Sequence, residues 1–167
     1  MKAVNTKTLK VLIDTNTWID YYTGRDGAQG CSSKLIKSLL CSKHDVYVSA
    51  LSTKDVFYLL QAYLKLAHRK QDGDTFSLEQ VRAIQEVAWK CTEHLIKTAK
   101  LAAVGTAECE RALALREFGN DYEDNLIVAC AEACGADYLV TNDESLKAPG
   151  TIAIVSPQEL YSMLFED

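Results

Sequence analysis

Lys10-Val11-Leu12-Ile13-Asp14 is a short β-type run that ends on a carboxylate. The same arrangement returns late in the chain, where the strand Tyr138-Leu139-Val140 runs into Thr141-Asn142-Asp143. Between and beyond these two runs, short apolar segments alternate with segments of helical period. Strands separated by helices imply right-handed crossovers, and therefore a parallel sheet with helices on both faces. In such sheets ligands bind at the carboxyl ends of the strands. Asp14 and Asp143 both occupy that position.

Working outward, Ser33 to Cys41 reads as a helix with Leu35, Ile36, Leu39 and Leu40 on one side. Val46-Tyr47-Val48 reads as a second strand. Ser52 to His68 reads as a long helix carrying Val56, Leu59, Leu60, Tyr63 and Leu64 at helical spacing, with Ser52 or Thr53 as its N-cap. His68 to Phe76 is polar, contains Gly73 and reads as a loop. Ser77 and Gln80 form a capping box for the next helix, so the two long helices are expected to project as a hairpin. Glu108 to Phe118 reads as a helix stopped by Gly119-Asn120, and Asp121 to Cys134 as one stopped by Gly135. Ile152 to Val155 is the last expected strand. Ser156-Pro157-Gln158-Glu159 begins a final helix with proline at its first position.

The 167 residues suit one α/β domain spanning 1–167, and a composition 48% apolar and 25% charged is that of an ordinary globular chain. No apolar run is long enough to span a membrane, and Met1 to Lys10 lacks the apolar segment of a signal peptide, so a cytoplasmic protein is expected. The six cysteines contain no CxxC pair, which argues against a zinc knuckle. Cys130 and Cys134 read as small apolar core residues. The net charge of −5 is not that of a protein gripping nucleic acid with its whole surface. With the aspartates of a metal cluster set aside, the remaining surface is nearly neutral, so binding would rest on local patches.

The acidic residues carry the functional signal. Asp14 and Asp143 at strand ends are joined by the acidic helix start Asp121-Tyr122-Glu123-Asp124. Gathered carboxylates repel one another and are costly to bury without a counter-ion. Mg²⁺ and Mn²⁺, which prefer carboxylate and water oxygens, are the usual compensation. His44, His68 and His94 lie away from these motifs in sequence, so no histidine base is expected. Walker-type, GxGxxG, GxSxG and HExxH signatures are absent.

These motifs resemble those of a known family. Val11-Leu12-Ile13-Asp14-Thr15-Asn16-Thr17-Trp18-Ile19-Asp20 is similar to the opening strand and loop of PIN domains. Asp121 to Ile127 with Ala129 and Ala131, followed by Gly135 to Asp143, is similar to their closing half, and the toxins of VapBC-type pairs are the group most resembled. The resemblance implies a metal-dependent endoribonuclease, the toxin of a type II toxin–antitoxin pair, with Mg²⁺ or Mn²⁺ as cofactor. It implies RNA as substrate, an antitoxin as partner and a homodimer. Asp14, Asp124 and Asp143 would be metal ligands, with Asp121 an additional one a helical turn before Asp124. Asp55 would be the remaining catalytic position, although the family usually places a glutamate there. Asn16 and Thr141 would orient the carboxylates or a metal-bound water. Arg25 and Lys54, each near an acidic motif, are the basic residues best placed to meet RNA.

Two other classes compete. A haloacid-dehalogenase-like phosphatase would want DxDxT after the first strand, where Asp14-Thr15-Asn16 has Asn in place of the second Asp. A degenerate module acting only in protein binding is favoured by Asp55 standing where the glutamate is usual.

Overall fold

The computed structural model describes residues 7–25, 30–146 and 148–166. Its centre is a five-stranded, all-parallel sheet in the order β3-β2-β1-β4-β5. The strands are β1 (Lys10–Ile13), β2 (Asp45–Ser49), β3 (Lys100–Ala102), β4 (Tyr138–Val140) and β5 (Ala153–Val155). The expected parallel α/β architecture is present. Side chains alternate across β1: Val11 and Ile13 face one core, and Leu12 faces the other. A strand covered on both faces is apolar at successive positions, which is why the sequence shows a run rather than an alternation.

The first core lies beneath helices α1 (Thr15–Thr23), α2 (Cys31–Leu40), α3 (Ala50–Asp72), α4 (Leu78–Thr98) and α7 (Pro157–Phe165), and contains Trp18, Leu35, Leu39, Leu60, Leu95 and Leu160, all essentially inaccessible to water. The second lies beneath α5 (Thr106–Ala114), the 3₁₀ turn Leu115–Glu117 and α6 (Tyr122–Cys134), and buries Leu12, Leu139, Val128 and Cys130. Helices α3 and α4 pack as an antiparallel pair. At 1.5 Å per residue each is over 30 Å long (roughly), so the pair extends as the expected hairpin.

Several boundaries differ from the expectations. Thr15–Thr23 is a helix rather than a loop, capped by Asp14 and closed by Gly24 at φ 62. Its β-branched Thr15 and Thr17 lower the local propensity, and burial of Trp18 and Ile19 overrides it. Helix α3 starts before Ser52 and Thr53, with Ser49 at the cap position, and runs past His68 to Asp72. The hydroxyls expected to cap it are used elsewhere: Ser52 Oγ accepts from Thr15 Oγ1 at 2.8 Å, and Thr53 Oγ1 donates to the Ala50 carbonyl. The segment read as one helix over Glu108–Phe118 begins at Thr106 and tightens to a 3₁₀ turn at Leu115. Strand β3 gave no signal in the sequence. The capping boxes at Ser77/Gln80 and Ser156/Glu159 form as read.

Candidate active site

The register of β1 against β4 brings the two strand-end motifs together. Asp14 N continues the ladder by donating to Val140 O at 2.9 Å. Asp14 is 7% exposed, and both its oxygens accept hydrogen bonds: Oδ1 from Thr15 N at 2.6 Å and Oδ2 from Thr141 Oγ1 at 2.9 Å. Thr141 Oγ1 in turn accepts from Asp143 N at 3.0 Å. One hydroxyl therefore fixes the Asp14 carboxylate and the turn that carries Asp143. Asn16 is exposed in the first turn of α1, and the hydrogen bonds to the Asp14 carboxylate come from Thr15 and Thr141.

Helix α6 supplies the third side. Asp121 caps it, with Oδ1 accepting from Glu123 N at 2.8 Å and Asp124 N at 3.3 Å. Asp124 sits in the first turn. Its carboxyl is pushed up to about 6, first by burial, then by the charges of Asp121, Asp143, Asp14 and Glu123. Burial also raises Asp14, with Glu123 and Asp143 adding repulsion and the bonds from Thr141 and Thr15 opposing it. Among the described residues, the charges that raise Asp14 and Asp124 all come from other carboxylates. Asp143, nearer solvent, is held below the usual carboxylate range by hydrogen bonding to Ser145. Asp14, Asp124 and Asp143 thus form one electrostatic unit at the carboxyl end of the sheet. Glu123, exposed in the first turn of α6, acts on Asp14 and Asp124 through its charge.

Asp55 lies one turn into α3, in ion-pair contact with Lys54 at 2.9 Å. Arg25 does not extend freely into the site. Its Nε and Nη2 hold Asp20 Oδ1 at 2.7 and 2.6 Å. Asp20 is 7% exposed, and its other oxygen accepts from Asn142 Nδ2 at 2.9 Å. Asn142 also donates to Ser32 Oγ at 3.2 Å. This network ties the end of α1 to the turn bearing Asp143. In sequence, Asp20 is only the last residue of the motif that begins at Val11. The available signal was a carboxylate on the same helix as the buried Trp18 and Ile19.

Among the described residues, no group of three or more His, Cys, Asp or Glu side chains is arranged so that it could hold a metal ion. The donor set nevertheless fits a hard dication. It is all oxygen, its charges are mutually unfavourable, and a carboxylate accepting one bond per oxygen retains lone pairs. The six cysteines are free thiols; Cys130 is buried as expected, whereas Cys134 is only partly buried against the same core.

A PIN-domain family model matches residues 10–145, and the chain belongs to that family. No curated protein matches. Among solved structures, the chain is similar to a toxin–antitoxin complex from Klebsiella pneumoniae, at 18% identity over 88% of this chain and 97% of that one, with a TM-score of 0.54. It is also similar to VapBC2 from Rickettsia felis bound to a DNA fragment from its promoter, at 14% identity over 89% and 98%, with a TM-score of 0.58. At these identities the likeness is one of fold.

Proposed function

We propose that this chain is a divalent-metal-dependent endoribonuclease and the toxin of a type II toxin–antitoxin pair. The observation that carries the reading is the acidic cluster at the carboxyl end of a parallel sheet, where burial first, and then the charges of neighbouring carboxylates, raise both Asp14 and Asp124. Membership of the PIN family and the likeness to toxin–antitoxin structures support it.

Asp14, Asp124 and Asp143 would hold Mg²⁺ or Mn²⁺, with Asp121 contributing charge beside them. Bound there, the ion supplies neutralisation at the phosphodiester and activation of the attacking water. The chain's own residues do the remaining work. Thr141 and Thr15 N orient Asp14, Asp121 fixes the start of α6, and the Asp20–Asn142–Arg25 network holds the turn before Asp143. Lys54 stands at the rim to meet RNA phosphate; Arg25 serves the network. An antitoxin partner and a homodimer follow from the same family reading. Among the described residues, no helix is long and apolar enough to cross a membrane.

The test is cleavage of total RNA by protein freed of any antitoxin, with Mg²⁺, Mn²⁺ or EDTA. Metal-dependent cleavage is expected, and activity persisting in EDTA would sink the reading. A protein-binding module is the second reading. The engagement of Asp55 with Lys54 favours it, and absence of cleavage on every RNA would select it.

A further inference from the structure

Between the start of α3 and the start of α6 lies a cleft of about 180 Å³, beside the carboxylates. Its apolar wall is Leu126 and Ile127, each 6% exposed, together with Leu51, which is 42% exposed. Tyr122, the first residue of α6, stands over it and is 48% exposed. About half of the Tyr122 side chain stays open to water. Lys54 is at the rim, paired with Asp55 and within reach of the Glu123 charge.

We propose that this cleft holds one unpaired base of the RNA strand, with Tyr122 as its stacking platform and Lys54 on the adjoining phosphate. The inference rests on the nuclease reading. Tyr122 is two residues before Asp124 on the same helix, so a base on its ring belongs to a nucleotide neighbouring the phosphodiester at the carboxylates. The cleft has room for a single base and none for a duplex. An exposed aromatic ring over an apolar wall offers a base what water does not, and stacking of this kind is indifferent to sequence. The charge balance points the same way. A chain of net charge −5 has little general attraction for phosphate, so contact with bases adds affinity that the whole surface does not supply.

The test is fluorescence anisotropy with a labelled, random-sequence, single-stranded oligoribonucleotide in millimolar Ca²⁺. Asp124→Asn is present in every form to suppress cleavage. Tyr122→Ala is expected to weaken binding by about 5- to 100-fold, whereas Tyr122→Trp and Tyr122→Phe stay within about twofold because they keep the ring. Leu51→Glu, on the opposite and solvent-exposed wall, should also weaken binding, and it covers the case in which Tyr122→Ala fails to fold. Lys54→Gln should reduce the salt dependence by about one phosphate contact. A second arm measures cleavage of oligoribonucleotides carrying one abasic position. With Asp124 restored, the chain should lose rate when the base beside the cleaved bond is missing, and Tyr122→Ala should be insensitive to that loss. If Tyr122→Ala and Leu51→Glu bind and cleave as the parent does, the base site is overturned while the nuclease reading stands. If the parent neither binds nor cleaves RNA, both fall.

Discussion

Thr141 Oγ1 donates to Asp14 Oδ2 at 2.9 Å and accepts from Asp143 N at 3.0 Å, so a single hydroxyl joins the end of β1 to the turn after β4. Thr141→Val keeps the shape and removes both bonds. It leaves a buried carboxylate oxygen and a backbone N–H without that partner, at a cost of about 1–3 kcal/mol. If Asp14 holds the metal as proposed, loss of its orienting bond should also lower cleavage by roughly 10- to 100-fold. Thr141→Ser should restore most of both. Denaturant unfolding and RNA cleavage on the three proteins check this, and equal activity in all three would remove Thr141 from the site.

Asp14→Asn and Asp124→Asn each remove one charge from the cluster at nearly constant volume. Asn at position 14 can still accept from Thr15 N and turn its amide toward Thr141 Oγ1, so the fold should survive. Each variant should lose cleavage by orders of magnitude without melting earlier, since relief of repulsion offsets the altered bonds. Parallel loss of activity and melting temperature would mean that the substitutions merely unfold the chain.

The pH dependence of stability has a definite sign. The Asp124 carboxyl is raised from 3.8 to about 6, so the folded chain holds that proton more tightly than the unfolded chain does. The associated stability is fully present below pH 3.8 and is lost as the pH rises through about 6. Asp14 is shifted in the same direction. In EDTA, the stability of the parent relative to Asp124→Asn should therefore fall as the pH is raised across this window. Millimolar Mg²⁺ or Mn²⁺ should lessen the fall if, as proposed, the ion binds the deprotonated cluster in the folded state. Melting curves with and without EDTA read this directly, and identical curves would count heavily against a metal site.

Asp20 should matter for stability more than its sequence context suggests. It is 7% exposed and accepts from Asn142 and Arg25. Asp20→Ala leaves the Asn142 amide without that acceptor and the turn before Asp143 loosely held, at a cost of about 2–4 kcal/mol. Arg25→Ala should cost less, about 1 kcal/mol, because the Arg25 side chain is 45% exposed and solvent screens the pair. If Arg25→Ala instead abolishes RNA binding while stability is unchanged, Arg25 acts on substrate and not within the network.

Much of this was open to a reader of the residues. The runs at Val11–Ile13 and Tyr138–Val140, the helical periods between them, and the stops at Gly119-Asn120 and Gly135 follow from local chemistry acting over a few residues. They were enough for a parallel α/β sheet and for Asp14 and Asp143 at strand ends. Strand β3 was hidden because its three residues lie at the sheet edge, with Leu101 45% exposed, so no apolar pattern marks them. Helix α1 was hidden because its threonines argue against a helix until Trp18 and Ile19 find their core.

Local pattern fixed which residues are acidic, which elements they terminate and hence the end of the sheet to which they belong. Only the tertiary structure decided what each side chain does there. Thr141 reaches across 127 positions to Asp14, and Asn142 reaches 122 back to Asp20. Arg25 turns to Asp20, and Glu123 adds its charge to Asp14 and Asp124. Such contacts depend on strand register and on burial. Those are settled by the packing of both cores at once, and no window of neighbouring residues contains them.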